Sequence, residues 1–298
     1  MIHDPLFQLS INHVRKLVSI PEQKLIHLND VFKQDLGIWS SSPGLPWTQF
    51  GVKKKAEIRD NPEYVNSVRW YWHKIKEGKT VHATDCCAFI RSHLVKEEEP
   101  DKVRAVWGFP ATITLGEAVF ALPLIRAYKQ QRGMFAYGLE PIRGGIARLR
   151  ANAKPGLYYY GCDYKKFDKT VPAWLVDIAF SILLENLDLL HYQDRGVSNV
   201  RGVINMWEYI KNYFCNTPIR VANGVQFIKK GGIPSGSYFT QLVGSICNAL
   251  AIVYVTLTLC GEYPTDLKIL GDDSLFALKT RLTIDEMQSV LNRFGMTF

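Results

Sequence analysis

The residues of this sequence best suited to chemistry are acids that lie far apart in the chain. Asp163 closes a tyrosine-rich run, Leu157 to Asp163, that reads as a strand. Asp272 and Asp273 follow Gly271 inside an apolar stretch, Leu267 to Leu278, that reads as a hairpin with these residues at its turn. Two adjacent strands would bring all three carboxylates to one edge of a sheet. Carboxylates on rigid elements are the usual means of holding two divalent ions about 4 Å apart, the arrangement that lets a 3′-hydroxyl attack an α-phosphate. All-oxygen donors suit Mg2+, with two ions expected and Mn2+ as a substitute. Turn chemistry alone also accounts for Gly271-Asp272-Asp273, and Asp163 by itself could be a strand-end acid in water. Side-by-side aspartates repel each other unless a cation or solvent compensates, and the pairing with Asp163 favours the metal.

Three further features could serve the same chemistry. Asp168 stands five residues after Asp163, beside a helix start, where it could cap the helix or face the cleft and read a 2′-hydroxyl. Thr240, Gly244 and Asn248 recur every four residues and share one helical face, with the glycine allowing close approach. That face could serve a ligand or simply satisfy hydrogen bonds within the core. The loop Gly231-Gly232-Ile233-Pro234-Ser235-Gly236-Ser237 runs into a helix N-terminus, a setting that favours phosphate or backbone contact.

The elements that must carry these residues read as follows. The first forty residues are helix and loop, ending in a rigid segment around Pro43, Gly44 and Pro46. Glu57 to Lys79 is helical, Phe89 to Trp107 is an extended hairpin with Glu97, Glu98 and Glu99 at its tip, and Leu115 to Tyr128 is helical again. Val171 to Leu190 has helical periodicity with Thr170 as cap and Pro172 in the first turn. From Gly231 to Gly261 there is no charged residue, and Leu242 to Leu259 is long enough to span a bilayer. Thr240, Gln241, Ser245 and Asn248 interrupt it, and an acidic hairpin follows at once, so a buried core helix is expected and no membrane partner.

With 298 residues, 47% hydrophobic and rich in Tyr, Phe and Trp, the chain excludes a disordered or low-complexity protein and implies an enzyme-sized folded body. A net charge of +8 points to a polyanionic partner. The clusters at Lys53 to Lys55, at Lys74, Lys76 and Lys79, at Arg143, Arg148 and Arg150, and at Lys165, Lys166 and Lys169 contribute to it, though each alone could be a solvated face. Six cysteines without a C-x-x-C pair fit a reduced compartment, and the spacing of His82, Cys86, Cys87 and His93 matches no usual zinc pattern.

Taken together, these segments resemble the palm motifs of viral RNA-dependent RNA polymerases, in wording like that of the partitivirus family of double-stranded RNA viruses. Asp163 to Asp168 is similar to motif A, Gly231 to Asn248 to motif B, and Gly271-Asp272-Asp273-Ser274 to motif C, in that order. Ser42 to Trp47 looks like motif G, and Lys102-Val103-Arg104 like motif F. The resemblance implies an α+β right-hand polymerase fold, with an RRM-like palm of antiparallel sheet, helical fingers, and the thumb absent. Residues 1–156 would form the fingers, and 157–298 the palm with part of the fingers.

It further implies that Asp163 and Asp272 hold the metals with Asp273 in support. Asp168, Ser235, Thr240 and Asn248 would recognise the ribose, and Lys102 and Arg104 the triphosphate, although these two could also be solvated bases on a strand. Pro43, Gly44, Pro46 and Gly236 would meet the template. The expected partners are template and product RNA, nucleoside triphosphates and a viral coat protein, in the host cytoplasm within the virion. The expected activity is RNA-directed RNA synthesis, with a non-catalytic remnant of an integrated viral sequence as the alternative. Asn292-Arg293-Phe294-Gly295-Met296 resembles the beginning of motif D, and the resemblance implies that the chain is a fragment whose general-acid lysine is expected beyond Phe298.

Overall fold

The computed structural model describes residues 1–93, 102–131, 133–139 and 144–298, with the backbone alone at 90–93 and 102–105. Helix α1 (Pro5–Leu17) starts where Asp4 accepts from the Leu6 N–H and ends with Arg15 and Lys16 in its last turn, both favourable to the helix dipole. Strand β1 (Gln23–Leu25) follows, where the sequence suggests only helix and loop, and then a single turn, α2 (Leu28–Val31). The helix expected from Glu57 to Lys79 is two helices, α3 (Lys55–Asp60) and α4 (Pro62–Lys76). Pro62 has no N–H to continue α3, and Asn61 accepts from the Glu63 N–H to begin α4.

Strands β2 (Cys86–His93) and β3 (Lys102–Gly108) form the expected hairpin, paired from Cys87 opposite Gly108 to His93 opposite Lys102. Its acidic tip, Glu97 to Glu99, lies outside the described residues, as do the side chains of Lys102 and Arg104. Helix α5 (Ala111–Gln130) exceeds its expected span at both ends. Helix α6 (Gly145–Ala151), strand β4 (Tyr158–Cys162), helix α7 (Phe167–Thr170) and helix α8 (Ala173–Leu184) come next. The helical pattern read through Leu190 breaks at Asn186, and Leu187 onward is strand β5 (Leu187–Tyr192). A parallel pairing with β1 overrides the local periodicity there, an outcome a short apolar run leaves open. Thr170 does not cap α8: Pro172 holds that place, and the Thr170 hydroxyl donates back to the Lys166 carbonyl.

Helix α9 (Val200–Cys215), strands β6 (Pro218–Arg220) and β7 (Gln226–Ile228), helix α10 (Thr240–Cys260), strands β8 (Thr265–Leu270) and β9 (Asp273–Leu278) and helix α11 (Ile284–Leu291) complete the chain. The strands form sheets ordered β1-β5, β3-β2-β6-β7 and β4-β9-β8. The last is antiparallel throughout, with β9 central. The composition of elements is mixed α+β.

Helix α10 lies in the core as its lack of charge requires, since a helix apolar on every side is stable only when covered on every side. Both α5 and α10 are long and apolar enough to cross a membrane, yet 83% and 89% of their most apolar windows are buried within the protein. Helices α1, α8 and α11 pack around α10, and the Phe7 ring of α1 sits edge-on against Trp174 and Tyr254. One continuous hydrophobic cluster therefore joins residues on both sides of position 156.

In α5, Gly116 lies under the Trp72 ring so closely that an added Cβ would fall 1.9 Å from a ring carbon. Trp72 is fully buried and its indole N–H donates to the Thr112 carbonyl at 2.8 Å, so it has little room to withdraw. Gly116→Ala is expected to destabilise the fold by about 1–3 kcal/mol, the usual cost of overpacking, measured by urea unfolding.

Candidate active site

The register of the β4-β9-β8 sheet brings the two acidic segments together. Cys162 pairs with Ser274, so Asp163 leaves β4 level with Asp273 at the start of β9. Leu270 pairs with Asp273, which leaves Gly271 and Asp272 as the two-residue turn. Gly271 has φ +69° and faces Gln241 Oε1, which would lie 3.0 Å from an added Cβ. A left-handed residue at the first turn position is what a two-residue hairpin asks of glycine. All three aspartates are exposed at this edge.

Partial burial, then the like charges of Asp272 and Asp163, raise the Asp273 carboxyl above the ordinary aspartate value. A depression of about 340 Å³ opens beside them, lined by Leu149, Gly161, Asp163, Lys268 and Asp273 among others. The three acids thus share one edge and one electrostatic field. They are not a finished ligand set: among the described residues, no three His, Cys, Asp or Glu side chains stand close enough to hold a metal ion.

Helix α10 fixes the turn from behind. The Ser245 hydroxyl accepts from the Gly271 N–H at 2.8 Å, and the Asn248 amide donates to the carbonyls of Gly271 and Asp272 at 3.1 and 2.8 Å. The Tyr164 hydroxyl in turn donates to Asn248 Oδ1 at 3.0 Å. Asn248, expected to read a ribose, is instead fully buried, with its carbonyl oxygen and its amide both engaged in joining the segment after β4 to the β8–β9 turn. Thr240, at the other end of the same face, gives its hydroxyl to the Pro234 carbonyl at 2.6 Å. Gly244 lies between them, but a Cβ there would meet Gly271 Cα at an ordinary 3.6 Å, so close approach does not require glycine.

The glycine-rich loop lies along the segment that follows Asp163. The Ile233 N–H donates to the Asp168 carbonyl and the Gly232 N–H to the Val171 carbonyl, at 2.8 and 2.9 Å. Here glycine is obligatory: Gly232 has φ +71°, and a Cβ would sit 2.5 Å from the Asp168 carbonyl oxygen. The Asp168 side chain is exposed on α7, beside exposed Lys165, Lys166 and Lys169. Further along, the Ser235 hydroxyl accepts from the Trp107 N–H at 3.3 Å, and exposed Gly236, with φ +92°, lies against Phe109.

The segment holding Pro43, Gly44 and Pro46 meets the same junction of β3 and α5. The Pro43 carbonyl accepts from the Ala111 N–H at 2.7 Å, and the Trp47 indole donates to the Thr112 hydroxyl at 2.9 Å. Pro43 and Gly44 are buried, so Pro46, which is partly exposed, is the more accessible of the three.

Residues that sequence reasoning missed act through burial. Lys55, grouped with two surface lysines, turns inward and donates to the Ser41 hydroxyl and the Ser42 carbonyl at 2.9 and 2.6 Å, with its amine pushed down to about 8 by burial. Lys229, also pushed down to about 8 chiefly by burial, donates to the Gly232 carbonyl at 2.9 Å. Tyr164 carried no signal beyond its place beside Asp163. Ser245 and Asn248 did carry one, as polar residues in an uncharged run.

A family model described as viral RNA-dependent RNA polymerase matches residues 9–298. The chain belongs to that family. It is 27% identical over 255 residues to the RNA-directed RNA polymerase of Cryptosporidium parvum virus 1 (strain KSU-1), covering 84% of this chain and 45% of that protein. It is 24% identical over 252 residues to that of Atkinsonella hypoxylon virus (isolate 2H), covering 70% and 38%, and 24% over 216 residues to that of White clover cryptic virus 1 (isolate Boccardo/2004), covering 66% and 35%. The chain spans less than half the length of these curated relatives. The resemblance read from the motifs holds at the level of the family.

Two outcomes test the geometry. Asn248→Ala strands the Tyr164 hydroxyl and frees the turn carbonyls, so unfolding in urea should show a loss of about 1–3 kcal/mol. For Asp273, a carboxyl raised above its unfolded value holds its proton more tightly when folded. Its contribution to stability therefore falls as pH rises from about 4 through the folded value, and the full penalty applies above it. Asp273→Asn removes that penalty. Without divalent ions, the variant should gain on the wild type as pH rises through this window and level off by neutrality, by roughly a few tenths of a kcal/mol because solvent screens the edge. Thermal unfolding across the pH range measures it.

Proposed function

We propose that this chain carries the catalytic edge of an RNA-directed RNA polymerase, joining nucleoside triphosphates to the 3′-hydroxyl of an RNA on an RNA template. The observation that supports this most is the meeting of Asp163 with Asp272 and Asp273 at one end of an antiparallel sheet, in a member of the viral polymerase family. In this reading the β4-β9-β8 sheet with α8 and α10 is the palm, within residues 157–298. The β3-β2-β6-β7 sheet and helices α3 to α5 belong to the fingers, mainly within 1–156.

The donor chemistry fits a hard divalent cation: the ligands are all oxygen, and burial together with the like charges of Asp272 and Asp163 raises the Asp273 carboxyl. Asp163 and Asp272, with Asp273 in support, would hold two such ions, Mg2+ by preference, whose chemistry is to activate the attacking hydroxyl and stabilise charge on the departing pyrophosphate. The protein's own residues place and hold the reacting groups. Asp168 offers a free carboxylate as acceptor for a ribose hydroxyl, and Lys165, Lys166 and Lys169 add positive charge beside it. Ser235, Gly236 and Pro46 present a surface at the β3–α5 junction that a template strand would follow. Lys102 and Arg104, on β3 of the same junction, keep the role of triphosphate contacts.

The test is primer extension on an RNA template by the full-length protein with Mg2+. Asp272→Ala should lower incorporation by at least a hundredfold while leaving the thermal transition within a few degrees of wild type. Equal incorporation by both proteins would refute the assignment.

A further inference from the structure

Helix α5 carries no acidic or basic residue where it is buried, with one exception. Glu117 is completely buried, and no lysine, arginine or histidine among the described residues pairs with it. Taking a carboxyl group into such surroundings costs several kcal/mol unless its oxygens are satisfied. Both are satisfied, and by one short stretch of chain. The Ser237 hydroxyl is 2.7 Å from Oε1, and the Tyr238 N–H donates to Oε2 at 2.9 Å. Ser237 Oγ also accepts from the Phe239 N–H at 3.0 Å, so the serine links the carboxyl to the turn that opens α10.

These contacts lie where the glycine-rich loop ends. Upstream, the loop is fastened to the segment following Asp163 through Gly232 and Ile233. In its middle it touches the β3–α5 junction through Ser235 and Gly236. Its glycines, with φ of +77°, +71° and +92° at 231, 232 and 236, give the backbone conformations that most residues avoid. A chain with that freedom takes one shape only if both ends are held, and Glu117 holds the far end at Ser237 and Tyr238, beyond the Thr240 hydroxyl's contact with the Pro234 carbonyl.

We infer that Glu117 is a positioning residue: from α5 it fixes Ser237 and Tyr238, and thereby sets the path of the glycine-rich loop and the placement of Ser235 and Gly236 toward RNA or nucleotide. Burial pushes its carboxyl up to about 8, so near neutrality it retains its proton and brings no net charge into the core. Either partner of the Ser237–Glu117 contact can then supply the hydrogen. The kinetic consequence rests on the polymerase reading, whereas the local one does not.

Glu117→Leu keeps the volume and removes both contacts. Glu117→Gln keeps an acceptor for the Tyr238 N–H and offers a donor to Ser237 Oγ, as the protonated carboxyl does. A residue needed only for stability would lower the thermal transition and loosen α5 and α10 together. The inference predicts otherwise: Glu117→Leu leaves the transition unchanged or higher, while amide hydrogen exchange accelerates at least tenfold at residues 235–239 and not elsewhere in α5 or α10.

In primer extension by the full-length protein, Glu117→Leu should raise KM for template or nucleotide by about tenfold with kcat within threefold of wild type. Glu117→Gln should restore both exchange and KM. Ser237→Ala combined with Glu117→Leu should be no worse than the more severe single variant, since the two remove one contact. Exchange within twofold of wild type in Glu117→Leu overturns the inference, and so does altered exchange with unaltered KM in an active enzyme. If the wild type itself extends no primer, the polymerase reading fails, and the exchange pattern alone decides whether Glu117 holds the loop.

Discussion

The meeting of Asp163, Asp272 and Asp273 at one exposed edge of the β4-β9-β8 sheet is the constraint that the rest of the structure serves. Burial and the two neighbouring charges raise the Asp273 carboxyl, so the edge is costly to the isolated fold. Among the described residues the protein forms no ion pair with these three carboxylates, although Lys268 lines the same depression. It grips the backbone instead, through the Ser245 hydroxyl and the Asn248 amide behind the turn. Neutral groups that bind the turn carbonyls and N–H leave the carboxylate oxygens without an ion pair among the described residues.

That grip is only as firm as α10, which is why α10 is enclosed. A helix that carries Ser245 and Asn248 inward cannot also turn a polar face to water without moving them. The cover comes from distant parts of the chain: α1 near the start, α8 in the middle and α11 near the end. Phe239, just before α10, packs against Phe180 and Trp207, and so ties the helix start to α8 and α9. The aspartate edge is thus positioned by residues that never approach it.

The junction of β3 and α5 plays a corresponding part for the loops. The Pro43 carbonyl, the Ser235 hydroxyl and the Glu117 carboxyl each bind there, on segments separated by up to two hundred or so residues of chain. Two of the fastenings rely on ionisable groups in unusual settings, Lys55 behind Ser41 and Ser42 and Glu117 behind Ser237. Both hold neutral partners. Loops rich in glycine and proline gain definition from such contacts because they lack a hydrogen-bond ladder of their own.

Much of this was legible in the sequence. Apolar arms on both sides of Gly271-Asp272-Asp273 pointed to a hairpin, the uncharged run from Gly231 to Gly261 pointed to a buried helix, and the acid ending a tyrosine-rich strand suggested a shared edge. These are local signals, written in periodicity and turn chemistry. What the sequence could not decide were matters of pairing and depth. Leu187 to Leu190 continue a helical pattern, and only β1, more than a hundred and fifty residues away, makes them a strand. Asn248 has the same spacing whether it faces a ligand or the back of a turn, and only the packing of β8 and β9 on α10 commits both ends of its amide inward. Lys55 looks like an ordinary surface charge in its own stretch of sequence, and Glu117 is a lone acid in an apolar one. Their burial follows from which other segments close over them, and that is determined by the tertiary structure alone.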